Sequence, residues 1–236
     1  MTKPPASIHA PFPENRWWLW TFARNMNLVA LLAVVFITTS ALADERPMNE
    51  MPMYGGQHNP DVEPNTAHSA DAAKLGWKYL DQGDDATAIK RFNQAWMFNR
   101  KNAEAFWGFG IVMGRRAAGR DAEANLNASI KYIQMANDID PNNGKIIGDL
   151  AFSHALLGKE LSSKGTDASE QYTKAESLFR EAYRLEPKHP PIVANWAALN
   201  VYAGNYPEAK KLLDEAIDLG YKPDPEDVRE IWDKVK

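Results

Sequence analysis

Three observations predict an all-α chain built as a stack of helical hairpins. Residues 71–102 hold two amphipathic stretches separated by Gly83-Asp84. The same arrangement returns three more times along the chain. Prolines fall where two of the later second stretches should end.

In the first stretch Ala72, Leu75, Gly76 and Tyr79 share one face, at the i, i+3, i+4, i+7 spacing of a 3.6-residue period. In the second, Ala88, Phe92 and Ala95 share a face. Small residues at Gly76, Ala88 and Ala95 let the backbones approach, with Leu75, Tyr79 and Phe92 filling the space between them. One hairpin of this size cannot bury its apolar face alone and needs neighbours.

The neighbours are visible as two columns. Gly76, Gly110, Ala151 and Ala197 recur at intervals of 34, 41 and 46 residues. Ala95, Ala136, Ala182 and Ala216 recur at 41, 46 and 34, each step matching the other column for the same pair of copies. Large residues follow in register: Leu75, Phe109, Leu150 and Trp196 in the first helices, and Phe92, Ile133, Phe179 and Leu213 in the second. Pro141 and Pro187 stop two second helices, since proline cannot continue a helix. The longer intervals place extra residues near 115–124 and 158–170, on one edge of adjacent copies. These extra residues form either longer helices and a lip for partner contact, or a solvated loop.

The unit resembles the tetratricopeptide repeat, in four copies from about Ser69 to Tyr221. Gly76, Tyr79, Gly83, Ala88, Phe92 and Ala95 carry the likeness in the first copy, and Gly204, Tyr206, Ala209 and Ala216 in the last. Arg100, Tyr221 and Ser129 depart from the family pattern. The resemblance implies a right-handed α-solenoid that binds a protein or peptide segment in a concave groove lined by the first helices.

On that face lie Trp77, Trp107, Ile111, Arg115, Phe152, Asn195 and Tyr202, the candidate partner-binding residues. Aromatic anchors beside an arginine suit capture of a peptide segment. The same aromatics would equally serve as packing between hairpins, or lie under the chain's own linker. Family members that clamp a C-terminal carboxylate use lysine and asparagine here. Ala73 and Trp77 replace them in the first copy, so that mode is not expected.

The flanks differ from the array. Within residues 1–43, Arg16 and Arg24 precede an uncharged apolar run, Leu28–Thr39, which ends in Ala41-Leu42-Ala43. This is the pattern of a secretory signal cleaved after Ala43, with retention as a membrane anchor the alternative. A periplasmic or secreted location follows. Cleavage would move the net charge from −4 to −6, which argues against nucleic acid or anionic lipid as the main partner. A membrane contact is expected only if the segment is retained.

Residues 44–68 read as a flexible tether carrying Met48, Met51 and Met53, with His58 nearby. Soft thioethers could hold cuprous ion, the second functional reading; docking of the segment on the first repeat is the plainer one. Residues 69–222 form the array. Residues 223–236 start with Asp224-Pro225, a helix-start signature, and carry Val228, Ile231, Trp232 and Val235 as one apolar stripe for a terminal capping helix.

No cysteine is present, and the five histidines are scattered without an i, i+4 metal pair. Neither catalysis nor a cofactor nor a small-molecule substrate is expected.

Overall fold

The computed structural model describes residues 47–51, 53, 58–119 and 121–235. The predicted signal segment lies outside the described residues. A 3-10 turn at Met48–Glu50 precedes four helical hairpins: α1 (Thr66–Asp81) with α2 (Asp85–Phe98), α3 (Ala103–Arg116) with α4 (Ala122–Ile139), α5 (Gly144–Ser163) with α6 (Ser169–Leu185), and α7 (Pro190–Tyr202) with α8 (Tyr206–Asp218). Helix α9 (Pro225–Lys234) follows. The described residues contain no strand, and the architecture is an α-solenoid.

Local chemistry sets the boundaries. Asn65, Asn102 and Asn143 precede the first three first helices, and each side chain accepts a backbone N–H from the opening turn. Asp84 does the same for α2 and Asp224 for α9. The fourth first helix lacks a side-chain cap and starts on Pro190, whose missing N–H is no loss there. Pro141 and Pro187 stand just beyond the ends of α4 and α6, as expected. Gly83, Gly204 and Gly220 turn the chain at positive φ.

Successive first helices pack on one another more closely than successive second helices do. The first helices therefore form the inner wall, and the second helices fan outward. The column residues explain the close approach. Ala88, Ala95, Ala136, Ala151, Ala182, Ala197 and Ala216 are all fully buried. Ser129, the polar departure in this series, is also buried, and its hydroxyl pairs with that of Ser153 at 3.0 Å across α4 and α5.

Two expectations are corrected, and one open alternative is decided. Leu75 does not fill the hairpin interior; it is 39% exposed. Its counterparts Phe109 and Leu150 are buried, and Trp196 stacks on Phe179 of the preceding hairpin. The first copy has no preceding hairpin in the described structure, so its leucine faces outward. Of the two alternatives for the extra residues of copies two and three, longer helices hold for most of them, while residues 164–167 stay exposed between α5 and α6. The extra residues lengthen α4 to 18 residues and α5 to 20, and the added turns bury Ala117, Ala122, Leu126 and Leu157 in a small cluster of their own. Finally, the tether is not flexible throughout: Met48 and Asn49 are buried against the repeats.

The stripe of α9 is only half used. Ile231 is buried, whereas Trp232 is 43% and Val235 38% exposed. The helix packs mainly on α8, so one side of its stripe finds cover. Ile231→Ala should therefore cost about 2–4 kcal/mol, and Trp232→Ala less than about 1 kcal/mol. Urea unfolding of both variants checks this ranking, and equal losses would contradict it.

Candidate functional site

The sequence-predicted residues of the inner wall are brought together, but not as an open strip. Trp77 and Trp107 meet edge to face with ring centroids 4.8 Å apart. Trp77 donates its indole N–H to the Glu104 carboxylate, and Trp107 donates to Asp149 at 2.8 Å. These bonds tie α1 to α3 and α3 to α5, one first helix to the next. Trp107, Ile111, Phe152 and Asn195 are all buried, as is Trp77. Arg115 donates to the Leu80 carbonyl at 2.8 Å and pairs with Asp85, fastening α3 to the α1–α2 turn. Tyr202 is half-buried, with the Lys159 ammonium 4.9 Å from its ring centroid.

The physical reason is the small residues beside them. Gly108 abuts the Phe92 ring and Gly148 abuts Ile192, so neighbouring hairpins close over the aromatics. The aromatic side chains thus work as packing between hairpins. What borders the inner seam is polar: Glu104, Lys145 and Asp149 remain half-buried there.

A second arrangement lies on the outer side, where α2 and α4 fan apart. The turn at Met48–Glu50 sits there against α2 and α3. Met48 packs into the same core cluster as Phe92, Phe109 and Tyr132. Its backbone N–H donates to the Tyr132 hydroxyl at 2.7 Å, a contact 84 residues away in sequence. The Asn93 side-chain amide donates to the Asn49 carbonyl at 2.8 Å and lies 3.5 Å from that of Met51. Asn93 is fully buried, and burial also pushes the Tyr132 phenol above its ordinary value near 10.

Sequence reading missed Asn93 and Tyr132. A signal existed: Ile89, Asn93, Trp96 and Met97 form a second stripe on α2 beside the hairpin-packing face, and all four are buried. An asparagine inside an apolar stripe marks a buried polar partner.

Of the residues singled out for copper, Met48 is committed to the core, Met51 and Met53 are half-buried, and His58 is exposed. Among the described residues no three His, Asp or Glu side chains gather as a metal-holding group. His154 donates its Nδ1–H to the Gln171 amide oxygen at 2.8 Å inside the third hairpin. Burial holds it below the ordinary imidazole value.

The sequence profile of the tetratricopeptide repeat family matches residues 168–228. No curated protein sequence matches the chain. Among solved structures, PilF of Pseudomonas aeruginosa is similar in fold, with a TM-score of 0.54 and 16% identity over 72% of this chain and 69% of that one. MamA gives 0.45 at 18% identity, covering 64% of this chain and 77% of that one. A thermophilic TPR protein of Thermus thermophilus gives 0.43 at 18% identity, covering 71% and 98%. The profile match covers the end of the array, and the hairpins before it repeat the same columns and the same packing. Residues 168–228 thus match the tetratricopeptide repeat family, and the hairpins before them share the same α-solenoid fold.

Proposed function

We propose that the protein is an exported adaptor whose inner wall captures a segment of a partner protein in the assembly or upkeep of the cell envelope. The observation that carries this reading is the wall itself. Indole–carboxylate bonds from Trp77 and Trp107 lock α1, α3 and α5 side by side, so the first helices form one stiff surface with a polar seam. A surface that is already rigid loses little entropy when a peptide settles on it. Recognition there rests on Glu104, Lys145, Asp149 and the half-buried Tyr202 ring, not on the buried aromatics. We assign it no catalysis, and its acidic balance favours a protein partner over nucleic acid.

The test is a photoreactive phenylalanine analogue placed at Tyr202 on the inner wall or at exposed Lys211 on α8, in the full chain. Irradiation in cells should join one discrete protein to the first variant and nothing to the second. Absence of an adduct at Tyr202, or equal adducts at both positions, would remove the inner-wall reading. The export component is read separately, by mass spectrometry of the mature chain. A mature N-terminus at Asp44 supports it, whereas a cytoplasmic chain starting at Met1 contradicts it.

A further inference from the structure

We infer that the outer wedge between α2 and α4 is a second peptide-recognition site, kept filled by the chain's own Pro47–Met51 segment until a partner's segment of like chemistry takes its place. The site lies on the outer side of the array, so it is independent of the inner wall.

The contacts define what it accepts. One apolar side chain, here Met48, enters the core cluster that contains Phe92 and Phe109. The backbone N–H of that residue meets the Tyr132 hydroxyl at 2.7 Å. The carbonyl of the next residue receives the Asn93 amide at 2.8 Å, and also the Asn59 amide at 3.4 Å. The recognised main-chain groups exist in any peptide, so specificity rests on the anchor side chain and on a non-helical backbone. A methionine or leucine in an extended or 3-10 segment meets both needs.

The resident segment is not an ideal occupant. The side-chain oxygens of Asn49 and Asn93 are both buried without a hydrogen-bond partner. Each such oxygen costs stability that a better-matched segment would recover. A partner segment bringing one further donor, such as a serine or glutamine side chain, to the Asn93 oxygen would therefore bind more tightly than the chain's own. The tether joining the segment to α1 contains Pro60 and Pro64, and its partly buried Met53 and Val62 pack on the array, so release of the segment gives up these shallow contacts as well.

Tethering sets the magnitude to look for. A segment on a short flexible tether competes at an effective concentration of order millimolar. A free peptide of micromolar affinity for the empty wedge is then weakened roughly 10²- to 10³-fold in the intact chain.

The probe is a fluorescein-labelled peptide of residues 47–53, Pro-Met-Asn-Glu-Met-Pro-Met, titrated into the full chain. Met48→Asp places a charge where the anchor is buried and expels the resident segment. This variant should bind the probe roughly 10²- to 10³-fold more tightly than the wild type. Adding Asn93→Leu should take away at least about tenfold of that gain. A Met48→Asp chain with native helical circular dichroism and no gain in affinity overturns the inference.

Hydrogen exchange on the wild type decides the case even where the variant folds poorly. The Met48 amide should exchange at least about 100-fold faster than those of Phe92 and Phe109, through local release of the segment. Exchange as slow as in those helices would make the segment a fixed part of the core and overturn displacement. A wild-type dimer that the probe dissociates would assign the wedge to a second copy of this chain, overturning its assignment to a different partner. Cross-linking from Tyr202 does not report on this wedge, so the two readings fail separately.

Discussion

Replacing Phe92 with alanine should lower the unfolding free energy of the first two hairpins by about 3–5 kcal/mol, the largest loss expected from any single truncation here. Phe92 is fully buried at the junction of three elements. Its ring meets Trp77 edge-on at 5.2 Å and Phe109 at 6.2 Å. It also fills the hollows left by two glycines: a Cβ at Gly76 would lie 2.6 Å from the ring, and one at Gly108 closer still. Glycine on two sides offers no side chain there to close the cavity, so the cost falls at the upper end of the range. Because repeats contact only their neighbours, the loss should be local. Thermal unfolding followed by tryptophan fluorescence, dominated by Trp77, Trp96 and Trp107 in this region, should shift down by roughly 10 °C. The hairpins at 144–218 should unfold near their original temperature, giving two steps by circular dichroism. A single step displaced by less than about 2 °C would show that the interior does not depend on this ring.

The second large effect is a reversal of sign between two glycines one turn apart on α3. At Gly110 an added Cβ would overlap the Ile133 side chain and lie 3.1 Å from both the Ile133 nitrogen and the Ser129 carbonyl oxygen. Those last two atoms are backbone of α4 and cannot step aside unless the helix moves. Gly110→Ala should cost about 1–3 kcal/mol by forcing α3 and α4 apart. At Gly114 the nearest such atom is the Ser129 hydroxyl at 3.4 Å, an ordinary contact. Gly114→Ala should stabilise the same hairpin by about 0.5–1 kcal/mol, because alanine loses less backbone freedom in a helix. Chemical denaturation of the two variants settles it. If both substitutions destabilise, or both stabilise, the α3–α4 packing is not as described.

These effects trace back to what was readable in the chain. The two columns of small residues gave the number of hairpins, because only small side chains permit that approach and they must recur where the approach recurs. Gly83, the prolines at 141 and 187, and Asp224-Pro225 located helix ends, since each acts through its own local backbone; the asparagine caps at 65, 102 and 143 are equally local signals that went unread. The candidate groove was legible only as a face. Helical periodicity placed Trp77, Trp107, Ile111 and Phe152 on one side of the first helices, yet could not say how closely the next hairpin approaches that side. Gly108 and Gly148 bring it near enough to cover them.

Leu75 and Trp232 show the same limit at the two ends of the array. Their apolar character fitted a core or a cap, but cover depends on a neighbour, and at the ends the neighbour is missing or touches only one side. Asn93 shows it from the opposite direction. Its position in the second stripe of α2 signalled a buried polar group, while its partner, the Asn49 carbonyl, lies 44 residues earlier.

By itself, then, the sequence determined the repeating unit, its copy number and the helix limits, all of which are short-range consequences of side-chain size and backbone preference. Which apolar faces are hidden, and which segment fills the gap between fanning helices, was decided only by the tertiary structure. Burial is a property of two surfaces meeting, and one of those surfaces is always supplied from elsewhere in the chain.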